Sequence, residues 1–444
     1  MIKFRLLLVL LLLSMYAPAQ TYRYSNDRIP FHPLKDKFQA VQQNGFLHFW
    51  IYDHEHLQLV VFNRQLREVN RQRLPDKKLR SRPFEFIQLD SFYYLVVRDQ
   101  QSFRLFRVQP DGSIKNLTAD PAARLIPART AGRKLVMGNR VLFIQPSTAG
   151  AGFTLVLADS GLQVLHRQEV SSFDHKPSSQ FTPLNDSIVL IRSILNGNSQ
   201  PGQLAMSRLN VFNGYMTHRK LTAQDGYFVY FSLHADGRGK VYAVAQTQML
   251  ASGPAQGQHY SFLLQMDEQL NVEKNLPLDQ IALQDSLQLS DGFQPSFTAL
   301  EADGSLVHID RAVKGDPWQR FKGGSQPAPV SKAGEYIRFS TLKRGADSLQ
   351  WTGMHSMPVR PYLFLQGRSG YLGFYPNDLG RNRHRISGFR LLRNGRLQSF
   401  DLNLPPTQQS ILTEAFLLDD RHLLVPFTEK RSLGFVVVNT DNLQ

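Results

Sequence analysis

Phe84-Glu85-Phe86-Ile87-Gln88-Leu89 runs through Asp90-Ser91 into Phe92-Tyr93-Tyr94-Leu95-Val96-Val97. Two apolar strands joined by a tight polar turn make a hairpin, because aromatic and β-branched side chains fill a pleated, buried surface. The pattern returns along the chain. Lys134–Met137 passes through Gly138-Asn139 into Arg140–Gln145, and Phe297–Leu300 passes through Asp303-Gly304 into Ser305–Ile309. Each hairpin is followed by a polar loop and usually by one or two more strands. Self-similarity at a period of roughly 45–60 residues, all of it strand and turn, is the mark of a β-propeller.

Eight second strands can be read: Phe46–Ile51, Phe92–Val97, Arg140–Gln145, Ser187–Arg192, Lys240–Ala245, Ser305–Ile309, Tyr371–Tyr375 and Arg421–Pro426. Outer hairpins follow most of them, turning at Pro110-Asp111-Gly112, Asp159-Ser160-Gly161, Asn213-Gly214, Asp267–Gln269 and Asn394-Gly395. Asn-Gly and Asp-Gly supply the positive φ that short hairpin turns demand. The expectation is one all-β propeller of four-stranded antiparallel blades, eight-bladed, with seven as the alternative. The last repeat, Leu412–Leu418, Arg421–Pro426 and Leu433–Asn439, lacks a fourth strand, and a spare strand lies near Thr21–Asn26. An open sheet edge invites mispairing, so the N-terminal strand is expected to close the ring. Helical periodicity is nearly absent, with Asp279–Leu289 as the one short candidate.

Residues 1–19 read as a signal peptide. Lys3 and Arg5 precede the apolar run Leu6–Leu13, and Ala17-Pro18-Ala19 is a small-x-small cleavage site. No later stretch approaches a membrane span. The domain expected is therefore 20–444, extracytoplasmic (periplasmic or secreted) after cleavage near Ala19. The chain has no cysteine, which excludes thiol catalysis, Cys-ligated metals and disulfides. A large domain buries enough apolar surface to do without them. Its formal charge is +15, and removing Lys3 and Arg5 with the leader leaves +13. Such a surplus draws an exported protein towards polyanions or an acidic protein partner.

The motifs Gln109-Pro110-Asp111-Gly112-Ser113 and Glu301-Ala302-Asp303-Gly304-Ser305, repeated in a strand-turn frame over Thr21–Gln444, resemble those of secreted bacterial β-propellers in general. The chain lacks the Trp-Asp endings of WD repeats and the regular glycine pairs of kelch repeats. The resemblance therefore implies a fold and carries no catalytic residue.

In a propeller the loops joining second to third strands open on one face, the usual place for ligands. Here those loops offer Tyr52, His54, His56, Arg98, Arg311, Arg381, Arg383, His384 and Arg385 as candidate ligand-binding residues. Asn377–Arg385 is the strongest of them, with three arginines and a histidine as donors for carboxylate, sulfate or phosphate. Asp53-His54-Glu55-His56 has metal-ligand types, but alternate residues of an extended segment face opposite ways, which favours a solvated turn. His308 alternates with Asp310 on one strand, the spacing of an Asp-oriented histidine. Gln246–Gln258 reads as a long loop. The basic stretch from Arg64 to Arg82 reads as a charged outer edge that discourages sheet pairing. No nucleophile elbow, HExxH, P-loop or dinucleotide fingerprint occurs. No catalytic residue, metal or cofactor is assigned. The reading is an exported, non-enzymatic binding or scaffold protein, monomeric, for an anionic glycan or a protein partner, with no specific nucleic-acid signal. The alternative is a carbohydrate-active enzyme, a glycoside hydrolase or polysaccharide lyase, with Asp or His catalysis on the same face.

Overall fold

The computed structural model describes residues 22–24, 29–32, 36–52, 56–74, 84–98, 103–126, 133–147, 152–171, 179–195, 202–223, 226–236, 239–249, 259–278, 294–301, 303–313, 335–357, 363–367, 370–375, 385–393, 396–405, 407–411, 415–419 and 421–443. They form an all-β propeller of eight four-stranded antiparallel blades. Blade 1 comprises Lys37–Gln43, Phe46–Tyr52, Leu57–Phe62 and Glu68–Leu74; blade 2 Phe84–Gln88, Tyr93–Arg98, Phe103–Val108 and Ile114–Asn116. Blade 3 comprises Arg133–Met137, Arg140–Pro146, Gly152–Ala158 and Val164–Ser171; blade 4 Gln180–Pro183, Ile188–Leu195, Gln203–Asn210 and Met216–Thr222. Blade 5 comprises Gly226–Ala235, Lys240–Met249, His259–Asp267 and Val272–Pro277; blade 6 Gln294–Leu300, Leu306–Val313, Glu335–Leu342 and Gln350–Met357. Blade 7 comprises Leu363–Gly367, Gly370–Phe374, Arg385–Leu392 and Leu397–Asn403.

Blade 8 is the closure. Its inner strand is split into Gln408–Ser410 and Phe416–Leu417, both paired with His422–Glu429, and Ser432–Asn439 follows. Tyr22–Tyr24 completes it from the other end of the chain, with Tyr22 opposite Val438 and Tyr24 opposite Val436. Ile29–Pro30 adds to the same edge. The last repeat thus takes its missing outer strand from the N-terminus, as the sequence implies. The helix candidate at Asp279–Leu289 lies outside the described residues.

The chain forms two compact units. One holds blades 1, 7 and 8 with Pro110–Gly112, and the other holds the rest of blade 2 and blades 3 to 6. In the first unit, Phe49 of blade 1 stacks on Phe435 of blade 8 at 4.1 Å between ring centroids, and Phe62 meets the same ring edge-on at 5.1 Å. His48 is buried there and its Nε2 donates to the Pro110 carbonyl, 2.8 Å away, so it is a core histidine. In the second unit each pair of neighbouring blades shares an apolar layer. Met137, Leu142, Phe153, Leu155, Val189, Ile191, Leu209 and Val211 fill the layer between blades 3 and 4.

Three of the outer turns share a pattern that the sequence conceals. In blades 1, 3 and 5 the turns Asn63–Arg67, Asp159–Gln163 and Asp267–Asn271 close with the first residue's N–H on the fifth residue's carbonyl. In each, the first side chain accepts backbone N–H groups, and a leucine takes the positive φ: Leu66 at 59°, Leu162 at 62°, Leu270 at 64°. Gly161 is therefore not the left-handed residue of its turn, contrary to the expectation from composition. A left-handed leucine costs about 1–2 kcal/mol. Burying its side chain contributes about 1.5–3 kcal/mol, and all three leucines are buried in the blade interior. Burial outweighs the backbone strain.

Candidate functional site

The sequence-predicted residues divide by their surroundings. Tyr52 ends the second strand of blade 1, paired with Lys37 and Leu57, and its side chain is buried in the core. His56 lies just beyond, half-buried, and its Nδ1 accepts from Arg73 Nη2 at 2.5 Å. Arg71 on the same outer strand pairs with Glu68, with Nε donating to Oε1 at 2.7 Å. Arg385 opens the third strand of blade 7. It is exposed but engaged, because Nη2 donates to Asp401 Oδ2 at 2.6 Å and Nε to Oδ1 at 3.2 Å. That bidentate bond holds Asp401 below the usual carboxylate range and raises Arg385. These three belong to the first unit. In the second, Arg98 pairs with Phe103 at a strand end, and Arg311 stands opposite Gln294 and Ile337. His54, Arg381, Arg383 and His384 lie outside the described residues. Tyr52 and His56 flank one loop of blade 1.

The densest polar arrangement lies elsewhere, in the layer between blades 5 and 6. Leu306, His308 and Asp310 alternate on one side of a blade 6 strand. Leu306 packs with Tyr242, Val244 and Leu263 of blade 5, so His308 and Asp310 face the same blade. Register sets His308 opposite Thr298 and Ser340, and Asp310 opposite Arg338. His308, Asp310 and Ser340 are 0% exposed and Arg338 is 1% exposed. Arg338 Nε donates to Asp310 Oδ1 at 2.9 Å and Nη2 to Oδ2 at 2.5 Å. His308 Nδ1 meets Thr298 Oγ1 at 2.9 Å, while its Nε2 stands 3.6 Å from Asp310 Oδ2, beyond hydrogen-bond reach. On blade 5, Gln246 Nε2 donates to Ser261 Oγ at 3.1 Å, and both are buried. His234 contacts Ser232 Oγ at 3.2 Å. Burial, with His308 and Arg192 adding positive charge, pushes His234 down to about 4.

Asp310 therefore orients Arg338 and not His308, which corrects the Asp-oriented histidine expected from the spacing. The physical reason is reach: a guanidinium on the paired strand offers two parallel donors to a carboxylate directly opposite. The long loop expected from Gln246 also begins later, since strand pairing continues through Met249 and the Gln246 amide is satisfied inside. Arg338, Ser340 and Gln246 were missed by sequence reasoning. Their signal was polar residues at inward positions of central strands. With no exposed surface, this group is an internal ion pair and not a reaction centre.

Among the described residues no three His, Asp or Glu side chains are placed to hold a metal ion. Every described carboxyl with a resolved shift is held low: Glu169 by Thr154, Glu273 by Lys240, Asp347 by Lys274, Asp401 by Arg385, and Asp267 and Asp419 by hydrogen bonds that outweigh burial. Burial pushes Tyr94 and Tyr375 up to about 12. No helix among the described residues is long and apolar enough to cross a membrane.

No family model matches the chain, and no curated protein matches it. Among solved structures it is similar to a prolyl endopeptidase at 10% identity, over 94% of this chain and 48% of that one, with a TM-score of 0.45. It is similar to an ulvan lyase of polysaccharide lyase family PL25 at 10% identity, over 94% and 95%, with a TM-score of 0.39. The β-propeller domain of the trilobed protease from Pyrococcus furiosus follows at 8% identity, over 83% and 95%, also at 0.39. No residue or role is carried over from them.

Proposed function

We propose that this propeller is an exported binding protein for an anionic glycan, without catalytic activity of its own. The observation that carries the reading is unbalanced charge: 51 Lys and Arg against 36 Asp and Glu. The described acids with resolved shifts all stay charged through hydrogen bonds or cations already on the protein, so none is poised as a proton donor for glycosidic cleavage. Arg381, Arg383 and His384 in the Asn377–Arg385 loop supply donors suited to carboxylate or sulfate, while Arg98 and Arg311 stand on the second strands of blades 2 and 6 that lead into the corresponding loops. The leader sequence supports export, with a mature chain that begins at Gln20.

The test is a titration of the mature protein with polygalacturonate, dextran sulfate and neutral dextran over a salt series. Binding of the two charged polymers that weakens steeply with salt, with neutral dextran inert, is the expected outcome. Affinity indifferent to salt, or release of new reducing ends or unsaturated uronate on prolonged incubation, contradicts the reading. Mass analysis of the exported chain checks cleavage after Ala19.

A further inference from the structure

The outer turn of blade 4 departs from its counterparts. The turns of blades 1, 3 and 5 send their one large apolar residue, a leucine, inward and keep polar residues outside. Blade 4 joins Gln203–Asn210 to Met216–Thr222 through Val211-Phe212-Asn213-Gly214-Tyr215. Val211 takes the buried position in the layer with blade 3. Phe212 and Tyr215 point outward, 40% and 63% exposed.

The turn that carries these rings is stiff. Asn210 N–H donates to the Tyr215 carbonyl and Gly214 N–H to the Asn210 carbonyl, each at 2.9 Å. Asn210 Oδ1 accepts from Phe212 N–H at 2.9 Å, and Asn213 Oδ1 accepts from Tyr215 N–H at 2.9 Å. Gly214 sits at φ 69° against Gln168 of blade 3, and a Cβ there would lie 1.5 Å from the Gln168 amide nitrogen. Rings held by such a backbone lose little freedom on meeting a ligand. Beside Phe212, the Arg140 guanidinium lies 5.3 Å from the centroid of the ring, and it makes no ion pair among the described residues. Asp186, the acid of the adjoining turn, rests against Gly138.

We propose that this turn is a saccharide-stacking site for an acidic glycan, with Tyr215 and Phe212 as the ring faces and Arg140 as the anion contact. The chemistry is specific to that class. The C–H faces of a pyranose pack on electron-rich rings, and a planar guanidinium fits a carboxylate or sulfate bidentately. A single arginine beside two rings suits a polymer whose charges are spaced by sugar rings better than the dense phosphates of a nucleic acid. The site lies at the end of blade 4 opposite the loop Leu195–Gln203 that joins its second and third strands, so it adds a second contact to the proposed function on which it rests.

The experiment is a titration of the mature chain with oligogalacturonate, comparing Tyr215→Ala, Phe212→Ala and Arg140→Gln with the loop variant Arg381→Gln/Arg383→Gln. Each turn variant is expected to weaken binding about fivefold to tenfold, with an unchanged thermal midpoint, because the rings are outside the core. Phe212→Trp keeps binding and its emission shifts as the sugar is added. Full affinity in all three turn variants, with loss only in the loop variant, overturns this site and leaves the proposed function standing. Absence of binding to any polyanion at low salt overturns both. A DNA oligonucleotide or an acidic protein that binds the turn more tightly than the sugar, with loss in Tyr215→Ala, overturns the saccharide assignment.

Discussion

Two layers of the second unit have the same backbone architecture and different chemistry. Between blades 3 and 4 the contact is mainly apolar, with Leu142, Ile144, Phe153, Leu155, Val189 and Leu209 interlocking and uncharged Ser179 and Ser193 as a buried polar pair. Between blades 5 and 6 it begins the same way, with Tyr242, Val244, Leu263, Leu306 and Leu342. It then changes to Gln246, Ser261, His308, Asp310, Arg338 and Ser340, all buried. An apolar layer is specified by volume and tolerates sliding. A buried ion pair is specified by direction, since one misplaced strand leaves a charge without its partner. The comparison leads to the hypothesis that the 5–6 layer sets blade register while the 3–4 layer supplies cohesion.

The largest expected effect tests the polar layer. Arg338→Ala leaves Asp310 charged and buried, and is expected to cost about 3–5 kcal/mol in urea unfolding. Replacing both partners, Arg338→Met with Asp310→Leu, is expected to recover most of that loss. A single variant that costs under about 1 kcal/mol would falsify the ion pair's structural role. In the apolar layer, Leu209→Ala is expected to cost about 2–4 kcal/mol through lost transfer energy and a residual cavity. No recovery is expected from any polar replacement there, and recovery by Leu209→Gln would erase the contrast between the layers.

A pH series sharpens the comparison further. Burial lowers the folded pKa of His234 to about 4 from the ordinary 6.5. The unfolded chain therefore binds the proton first, so this contribution is fully present above pH 6.5, declines as pH falls to about 4, and is constant below. Unfolding midpoints between pH 7 and 4 should show that decline in the parent and a shallower one in His234→Gln. Equal slopes in the two proteins would remove His234 from the account. The smallest effect belongs to Ser340, whose buried hydroxyl has no hydrogen-bond partner among the described residues. Ser340→Ala is expected to be neutral or to stabilise by up to about 1 kcal/mol, and a clear loss in calorimetry would mean the hydroxyl is engaged.

Much of the fold was legible. The alternation of Val307, Ile309 against Leu306, His308 marks a central strand of blade 6, and the short turns at Asp303-Gly304 and Asn213-Gly214 mark hairpins of blades 6 and 4, because both signals are local. The closing strand was legible from arithmetic alone: one repeat short of a strand and one strand to spare. The candidate site was less so. Arg385 reads as a free donor until Asp401, sixteen residues on, is seen to hold it. Leu162 reads as the first residue of a strand until its φ of 62° places it in the turn. Phe212 reads as the end of a strand, and only solvent exposure sets it and Tyr215 apart from Val211.

The chain's own order of residues determined the strand periodicity, the blade number and the excess of cations, since each depends on neighbours a few positions apart or on simple sums. The tertiary structure alone decided which polar groups point inward and what they meet. Asp310 and Arg338 are 28 residues apart, and Gln168 and Gly214 belong to different blades. Partners at such distances are selected by sheet register and by the packing of one blade on the next, and those are properties of the assembled fold.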